Sequence, residues 1–366
     1  MNRPIGIYIH IPFCRSKCPY CDFFSIRSDL SEYKKYVLIL NEKIKYWGKK
    51  INSSVDSIYI GGGTPSEIGS DLIIDIINLI KENFNVLNNS EITIEANPAS
   101  GKSFDFKAVK SAGVNRVSLG LQSVNENELK KLGRLHNVID ADNTIELIKS
   151  SGINNISLDI MLGIPEQTKE SLKNTLDYVV NSGAAHISSY ILKIEENTFY
   201  GKHREKFDFP SDELTSELYL YSVDYLEKNG FIQYEISNFS KQGFESKHNL
   251  KYWNLDEYLG IGPAAHSYLN GKRFYYDNSI RSFKDNIIID EGFGGSKEEY
   301  IMLKLRLKSG LNISEYKEAF GAFPSEDFIK KIKLYKNSGF MEYNDNTIRF
   351  TTKGFLVSNS ILSELI

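Results

Sequence analysis

Three cysteines, the only ones in the chain, lie within a single short segment. They are Cys14, Cys18 and Cys21, in the spacing C-x3-C-x2-C. An odd number of cysteines cannot form a closed set of disulfides, and three thiolates are one short of an all-cysteine structural zinc site. The count suits a cubane iron–sulfur cluster that has three irons held by protein and one open iron. Because a small molecule can coordinate an open iron, the motif indicates chemistry as well as structure.

A run of glycines follows the second predicted strand. Gly61, Gly62 and Gly63 precede Thr64 and Pro65. Glycines let the backbone approach a ligand closely, and their N–H groups can receive a carboxylate. By itself, such a run is equally compatible with a tight turn from strand to helix.

Four predicted strands have one apolar face and one largely polar face, since side chains alternate across a strand. The polar faces carry Glu95, Gln122 and Asp159, with Tyr8 and His10 in the first strand. A doubly wound sheet is buried on both sides and reads as apolar throughout. A closed barrel fills its interior with bulky aliphatic side chains. Polar inner faces therefore predict an open barrel that encloses a hydrophilic ligand.

Strand-like and helix-like segments alternate from residue 5 to about residue 195, which predicts parallel βαβ units. The predicted strands are 5–11, 57–62, 92–97, 116–122, 155–163 and 186–193, and the predicted helices are 32–47, 70–83, 104–112, 139–150 and 169–182. We predict an α/β fold whose residues 1–195 form a partial (β/α)6 barrel of the TIM type. The cysteine loop follows the first strand, so it lies at the C-terminal mouth, where such barrels hold active sites.

Two further regions follow the predicted barrel. Residues 196–295 read as an irregular extension with a helix candidate at 213–229. Residues 296–366 predict a small α+β module, in which helices precede two short strands in the order of a winged helix. Basic and acidic residues nearly balance in this module, which favours a docking or lid role over DNA binding.

Composition excludes several classes of function. The 366 residues include 44 basic and 47 acidic side chains, so the formal net charge is -3. This composition lacks the excess of positive charge that is typical of nucleic-acid-binding proteins. No apolar stretch approaches the length of a transmembrane helix, and no signal-peptide pattern opens the chain. Cysteines that occur only as one cluster fit a reducing compartment. We therefore expect a cytoplasmic protein.

The cysteine spacing, with the aromatic Tyr20 before the third cysteine, resembles the radical S-adenosylmethionine (SAM) superfamily. The resemblance implies a [4Fe-4S] cluster on Cys14, Cys18 and Cys21, with the amino and carboxylate groups of SAM on the open iron. It also implies an electron donor, because the reduced cluster cleaves SAM to a 5′-deoxyadenosyl radical. The cofactor would carry the difficult chemistry, while the protein supplies placement and shielding.

The glycine run resembles the superfamily's GGE-type motif, which receives the SAM amino group, although Thr64 stands in place of the Glu. This variant is similar to the oxygen-independent coproporphyrinogen III oxidase family, and the match extends over nearly the whole chain. The positions that match SAM contacts of the superfamily and this family are Tyr8, Tyr20, Gly62, Gly63, Thr64, Glu95, Gln122, Arg134 and Asp159. The resemblance implies that the carboxylates accept hydrogen bonds from ribose hydroxyls and that Arg134 pairs with the SAM carboxylate.

Two departures point to one branch of that family. The oxidases have a further cysteine where this chain has Phe23, and they have a long leader where only 13 residues precede Cys14. Both features resemble the heme chaperone branch, whose H-N-x-x-Y-W signature matches His248, Tyr252 and Trp253. The resemblance implies heme as cargo and a heme-accepting protein as partner, and it is compatible with peripheral membrane association.

Read without the resemblance, this motif fits a structural turn that caps the barrel, with Tyr252 and Trp253 in the core. His266 and His10 are weaker candidates for heme contact.

Three functions remain open from the sequence. The first is a heme chaperone that holds SAM on its cluster. The second is an oxidase that decarboxylates coproporphyrinogen III to protoporphyrinogen IX, and the third is a radical SAM enzyme that acts on another tetrapyrrole or small substrate. Phe23 and the short leader favour the first function over the second. Because the SAM positions are intact, we expect SAM binding and cleavage, but no coproporphyrinogen oxidase activity.

Overall fold

The computed structural model describes residues 3–366 and contains two β-sheets in that range. Its strands are β1 (Ile5–Ile11), β2 (Val55–Gly62), β3 (Val86–Ala96), β4 (Arg116–Gln122), β5 (Asn155–Leu162), β6 (His186–Ile191), β7 (Ile232–Gln233), β8 (Asn238–Ser240), β9 (Tyr258–Ile261), β10 (His266–Leu269), β11 (Lys272–Tyr276), β12 (Ile288–Phe293), β13 (Leu311–Asn312), β14 (Met341–Tyr343) and β15 (Thr347–Phe350).

Helices connect the strands and cover the outer side of the large sheet. They are α1 (Leu30–Gly48), α2 (Ser70–Asn83), α3 (Pro98–Gly101), α4 (Phe106–Ala112), α5 (Glu126–Lys131), α6 (Val138–Ser150), α7 (Lys169–Asn181), α8 (Phe199–Lys202), α9 (Asp212–Lys228), α10 (Lys247–Asn254), α11 (Ile280–Lys284), α12 (Lys297–Lys304), α13 (Ile313–Phe320), α14 (Glu326–Asn337), α15 (Thr352–Leu356) and α16 (Ser358–Leu365), with 3-10 turns at Pro65–Glu67 and Arg204–Lys206. No helix among residues 3–366 combines the length and the low polarity that crossing a bilayer requires.

The large sheet has twelve strands in the order β12-β11-β10-β9-β1-β2-β3-β4-β5-β6-β8-β7. Strands β1 to β6 are parallel neighbours in sequence order, and each of them overlaps a strand predicted from the sequence. The α/β fold with a six-unit barrel core is therefore confirmed.

The apolar faces of these strands are packed under the helices. Ile7, Ile58, Ile94, Leu119 and Leu158 are fully buried, and each side chain of this size stabilises the fold by roughly 1.5–3 kcal/mol when it leaves water. Because side chains alternate, the same packing turns the polar face of every strand towards the barrel interior.

The prediction that residues 196–295 are irregular is wrong, because six strands in this segment extend the barrel sheet on both sides. Strand β9 pairs in parallel with β1, and β8 pairs antiparallel with β6. The local pattern did not reveal them, since these strands have two to six residues and two of them pair with strands far away in the sequence. The domain boundaries at 195 and 295 remain predictions.

The C-terminal segment contains the three-stranded sheet β13-β15-β14, which is antiparallel throughout. Helices α12, α13 and α14 precede the β14–β15 hairpin, and α15 and α16 follow it, which confirms the predicted small α+β module. It contacts the barrel segment through a bridge between Glu235 and Leu307, and Arg306 Nη1 donates to Ser358 Oγ at 3.2 Å within the module.

Candidate functional site

The cysteine loop connects β1 to α1 and is fastened to the end of β2. Gly63 N donates to Ile11 O and Thr64 N donates to Phe13 O, each at 2.8 Å. Within the loop, Cys21 N donates to Cys18 O at 3.1 Å. The three cysteines are half-buried and carry free thiols. The loop therefore lies at the C-terminal mouth of the barrel, as the sequence predicts.

The chemistry of the donor set fits an iron–sulfur cluster. Burial raises the pKa of the Cys14 and Cys21 thiols, and the neighbouring Cys18 raises both further, so the three sulfurs lie within electrostatic reach of one another. No three side chains of metal-binding type converge on one ion within residues 3–366. A cubane cluster instead uses one thiolate for each of three irons, and this loop supplies three.

Arg134 lies beside these thiols with unused hydrogen-bonding capacity. Its Nη2 donates to Gly120 O at 2.5 Å and its Nη1 lies 3.9 Å from Cys18 Sγ. Its Nε is buried and has no hydrogen-bond partner in the described part of the chain. A guanidinium with a free N–H is suited to bind a carboxylate. Arg134 lines a small cleft of about 30 Å³ together with Cys18, Thr64 and Asn97.

Glu95 occupies the barrel interior below the glycine run. Its carboxylate accepts hydrogen bonds from the Tyr59 hydroxyl at 2.8 Å and from Gly62 N at 3.0 Å. Burial raises the pKa of Glu95 to about 7, and the nearby Asp159 raises it further. Asp159 accepts from Ser118 Oγ at 3.0 Å, and burial raises its pKa as well. The two predicted carboxylates are therefore brought into one interior site.

The glycine run is required by packing whether or not a ligand binds. Gly62 has a φ of +112°, and a Cβ there would lie 2.4 Å from the ring of His10. A Cβ on Gly63 would lie 2.6 Å from Phe13 O. The run thus lets the cysteine loop close onto the sheet.

The remaining predicted SAM residues surround the same mouth. Tyr8 donates to His10 Nδ1 at 3.0 Å, and His10 Nε2 donates to Phe24 O at 2.9 Å, which links the barrel interior to the cysteine loop. Tyr20 lies close enough to Arg134 that the guanidinium affects its pKa, although burial is the larger cause and raises it. Gln122 ends β4 with a φ of +69°, a conformation that non-glycine residues adopt at a cost and that clusters at functional sites.

His248 and Tyr252 lie at the opposite end of the barrel. His248 Nδ1 and Ser57 Oγ are 3.0 Å apart, and His248 Nε2 and the Tyr252 hydroxyl are 2.8 Å apart. The ring is fully buried, and burial lowers the pKa of His248 to about 3. It packs near Gly6 at the start of β1, roughly 16 Å of strand away from the loop.

The H-N-x-x-Y-W motif therefore closes the end of the barrel opposite the cysteine loop, and we call this end the floor. Glu91 accepts hydrogen bonds from Lys247 N and His248 N at the start of α10, where a negative charge favours the helix. Trp253 Nε1 is buried without a partner within residues 3–366. Neither nitrogen of His248 is accessible in this conformation, so its contact with heme remains a prediction.

Two interior residues were not predicted from the sequence. Arg116 is 1% exposed, and its Nε and Nη1 have no hydrogen-bond partner among the described residues. Desolvation and then the nearby Asp159 raise the pKa of Tyr190, although 41% of this residue is exposed, which fits a side chain that lines an open barrel. Both continue the alternation of polar residues, since Arg116 precedes Ser118 by two positions and Tyr190 follows Ser188 by two. Both residues can be identified from the sequence by extending the polar face of each strand by two positions.

Comparison with known proteins places these observations in a family. The model of the radical SAM superfamily matches residues 8–179, and the model of the HemN C-terminal domain matches residues 297–357. A protein named "Heme chaperone HemW" from Buchnera aphidicola subsp. Acyrthosiphon pisum is 35% identical and covers 98% of this chain and 97% of its own. A protein of the same name from Lactococcus lactis is 32% identical and covers 100% and 98%.

Among solved structures, coproporphyrinogen III oxidase (HemN) from Escherichia coli matches with a TM-score of 0.84 over 99% of this chain and 90% of that chain. The identity is 20%, so this match shows the fold alone.

Proposed function

The chain belongs to the heme chaperone HemW family, and from that premise we propose that it is a radical SAM [4Fe-4S] protein that binds heme and transfers it to an acceptor protein. The observation that carries the proposal is the full-length similarity to heme chaperones together with an intact three-cysteine loop at the barrel mouth. The loop supports cluster binding, and the similarity supports heme as cargo.

Cys14, Cys18 and Cys21 would hold the cluster. When bound, a [4Fe-4S] cluster supplies one-electron chemistry and an open coordination position. Thr64 contributes a hydroxyl 3.5 Å from Cys14 Sγ, and it lowers the pKa of that thiol against the larger effect of burial. This contact favours the deprotonated sulfur that a metal requires.

SAM would bind beside the cluster, in the cleft and in the barrel interior below it. Arg134 would bind its carboxylate through the free Nε, and Glu95 and Asp159 would accept hydrogen bonds from its ribose. The other residues that we propose for this site are Tyr8, Tyr20, Gly62, Gly63, Thr64 and Gln122. These groups are half-buried, so bound SAM would displace water from the contacts, which strengthens them.

The chaperone function is favoured over coproporphyrinogen decarboxylation. Phe23, which stands where the oxidases have a further cysteine, is 69% exposed in the cysteine loop, and the reported full-length curated relatives are named as heme chaperones. We propose that the protein cleaves SAM when reduced, but that it does not convert coproporphyrinogen III.

Heme transfer and oxidase activity can be tested on the same preparation. Anaerobically reconstituted protein is loaded with hemin and mixed with an apo-acceptor that binds heme through histidine, and the acceptor's Soret band is followed. We expect one hemin for each chain and transfer to the acceptor. Incubation with SAM, a reductant and coproporphyrinogen III should give no protoporphyrinogen IX. Absence of hemin binding, or formation of that product, contradicts the proposal.

Partners other than heme follow from the position of the loop. Lys17 is exposed beside the thiols and donates only to the Phe23 carbonyl, whereas Arg15 is paired with Glu67. We propose that an electron donor with an acidic surface docks at Lys17. A cytoplasmic location is proposed because cysteines that occur only as one cluster of three fit a reducing compartment. Peripheral association with a membrane would place the cargo near membrane-bound acceptors. Reduction of the cluster by an acidic flavoprotein should slow when Lys17 is changed to Glu.

A further inference from the structure

A hydrogen-bond network joins Asp159 to the part of the barrel that residues 232–240 build. Asp159 Oδ1 lies 3.4 Å from Ser157 Oγ, and Ser157 Oγ lies 2.8 Å from His186 Nδ1. His186 Nε2 lies 2.8 Å from the Tyr234 hydroxyl. His186 and Ser157 are fully buried, so bulk water does not compete for their contacts. We call Asp159, Ser157, His186 and Tyr234 the His186 network.

The positions of the hydrogens in this network follow from its Tyr234 end. The Tyr234 oxygen accepts a hydrogen bond from Ser246 N at 3.3 Å, and a backbone N–H cannot accept one in return. Within residues 3–366, His186 Nε2 is therefore the acceptor for the Tyr234 hydrogen. Burial lowers the pKa of His186 well below its ordinary value, and the charge of Arg116 lowers it further, so the ring is neutral. A neutral histidine that accepts at Nε2 carries its proton on Nδ1.

Ser157 continues this direction towards Asp159. Since His186 Nδ1 donates to Ser157 Oγ, the hydrogen of the serine must point elsewhere. Two acceptors are within reach, Asp159 Oδ1 and Ser188 Oγ, each at 3.4 Å. A carboxylate forms the stronger hydrogen bond, because its charge assists the interaction. The arrangement that satisfies every group therefore has its hydrogens pointing from Tyr234 towards Asp159.

This direction holds Asp159 as a hydrogen-bond acceptor. Ser118 Oγ also donates to Asp159 Oδ1, at 3.0 Å. Burial raises the pKa of Asp159, whereas hydrogen bonds from three serine hydroxyls and the positive charge of Arg116 lower it. A carboxylate has about four lone-pair sites, so Asp159 can be held by these hydroxyls and still accept a hydrogen bond from a ligand.

The Tyr234 end of the network is anchored through the backbone. Tyr234 N donates to Asn238 O at 3.1 Å, and Tyr234 O accepts from Lys308 N at 2.9 Å. The second of these bonds comes from the C-terminal module, where Leu307 also forms the bridge with Glu235. The module therefore helps to fix the side chain that sets the direction of the network.

We propose that His186 and Tyr234 are positioning residues for SAM binding, which act through Ser157 to hold the Asp159 carboxylate as an acceptor for the ribose of SAM. Neither residue needs to touch SAM for this role. The inference rests on the proposed SAM site, and it adds the residues that support one of its carboxylates from behind.

Isothermal titration of SAM into the anaerobically reconstituted full chain tests the assignment. Tyr234→Phe keeps the ring and removes the donor, which frees His186 to carry its proton on either nitrogen. We expect Tyr234→Phe and Ser157→Ala each to weaken SAM binding by about threefold to tenfold, the worth of one hydrogen bond, with bound iron unchanged. Tyr219→Phe is the matched control, because it removes another buried hydroxyl, which donates to Ile236 O, and it should bind SAM as the wild type does.

Two further measurements separate positioning from stability. In a double-mutant cycle, Tyr234→Phe should cause no further loss of SAM affinity when Asp159 is already changed to Asn, because the carboxylate through which it acts is gone. Full additivity would overturn the proposal. Nitrogen magnetic resonance of the metal-free protein labelled at histidine reports the tautomer, with the His186 signal assigned by its absence in His186→Asn. We expect the proton on Nδ1 in the wild type, and a proton on Nε2 would contradict the network.

The possible failures are distinguishable. If the wild type does not bind SAM, the proposed SAM site fails, and the network has no ligand to position. If the wild type binds SAM and folded Tyr234→Phe and Ser157→Ala bind it equally well, the positioning role alone is overturned. The same conclusion follows if Tyr219→Phe weakens SAM binding as much as Tyr234→Phe does, since the loss would then come from packing.

Discussion

The mouth and the floor of the barrel both carry buried polar side chains, but these have different hydrogen-bond partners. At the floor, both nitrogens of His248 are occupied, one by Ser57 and the other by Tyr252. At the mouth, Arg134 retains a buried Nε without a partner among residues 3–366 and lies 3.9 Å from Cys18 Sγ. Motif residues at the two ends look equally functional in the sequence. Unused hydrogen-bonding capacity is therefore one of the features that a ligand site requires.

Arg116 shows that capacity alone is insufficient. Two of its nitrogens lack partners within the described range, yet the side chain is 1% exposed and its charge is balanced by the buried Glu91. Arg134 instead lines a cleft. A ligand site therefore needs both free donors and access.

The largest effect should come from the mouth. Changing Cys14, Cys18 and Cys21 together to Ala removes every thiolate that the cluster needs, so we expect complete loss of bound iron, sulfide and the visible absorption band. The thiols are half-buried in a loop, so the melting temperature of the metal-free protein should change little. Iron and sulfide analysis with thermal unfolding checks both. Retained stoichiometric iron would show that the cluster is held elsewhere.

At the floor, we expect His248→Ala to reduce stability and leave iron binding intact. The substitution leaves Ser57 and Tyr252 without partners in a buried site, which should lower the free energy of unfolding by about 2–4 kcal/mol. Urea denaturation of the metal-free protein measures this change. If stability were unchanged while hemin binding was lost, the floor would be a ligand site after all.

Two glycines with positive φ offer a matched pair. Gly62→Ala places a Cβ 2.4 Å from the His10 ring, whereas Gly69→Ala, at a φ of +90°, meets nothing within 4 Å. We expect Gly69→Ala to cost about 1 kcal/mol from backbone strain alone. Gly62→Ala should cost at least about 2 kcal/mol and also weaken SAM binding. Equal unfolding free energies for the two variants would show that the loop relaxes freely.

The six core strands could be predicted because each has its own alternation of apolar and polar residues. Strand β9 could not, because its four residues are defined by pairing with β1, about 250 positions earlier. Separation along the sequence also hides contacts at the floor of the barrel. Ser57, which occupies His248 Nδ1, is 191 residues away from it in the sequence, so no local pattern indicates that this histidine is already satisfied.

The mouth was better predicted than the floor, because the cysteines, the glycines and Glu95 lie at or near the carboxyl ends of parallel strands, which must meet at one edge. Their neighbours follow from the order of the strands. The partners of α10 depend on how a short helix packs, and strand order does not specify this.

The pH dependence of SAM binding provides a further test of whether the barrel interior at the mouth binds a ligand. Because burial raises the pKa of Glu95 from 4.5 to about 7, the folded protein holds this proton more tightly than the unfolded chain. Glu95 therefore reduces stability as pH rises from about 4.5 to 7. Ribose hydroxyls that donate to Glu95 favour its ionised form.

We therefore expect SAM affinity to increase as pH rises through 7, and Glu95→Gln to remove this dependence. Isothermal titration at several pH values measures it. Glu235, whose pKa burial also raises to about 7, lies outside the proposed SAM site, so Glu235→Gln is the control and should keep the dependence. A profile unchanged by Glu95→Gln would place the ribose elsewhere.

The smallest expected effect concerns Thr64, whose hydroxyl lies 3.5 Å from Cys14 Sγ. Hydrogen bonds to cluster sulfurs raise the reduction potential by stabilising negative charge. Thr64→Val keeps the shape and removes the donor, so the potential of the reconstituted cluster should fall without loss of iron, whereas Thr64→Ser should stay near the wild type. Potentiometric titration followed by electron paramagnetic resonance resolves the three proteins. If Thr64→Ser shifts as far as Thr64→Val, side-chain packing is responsible, because the serine keeps the hydroxyl and loses only a methyl group.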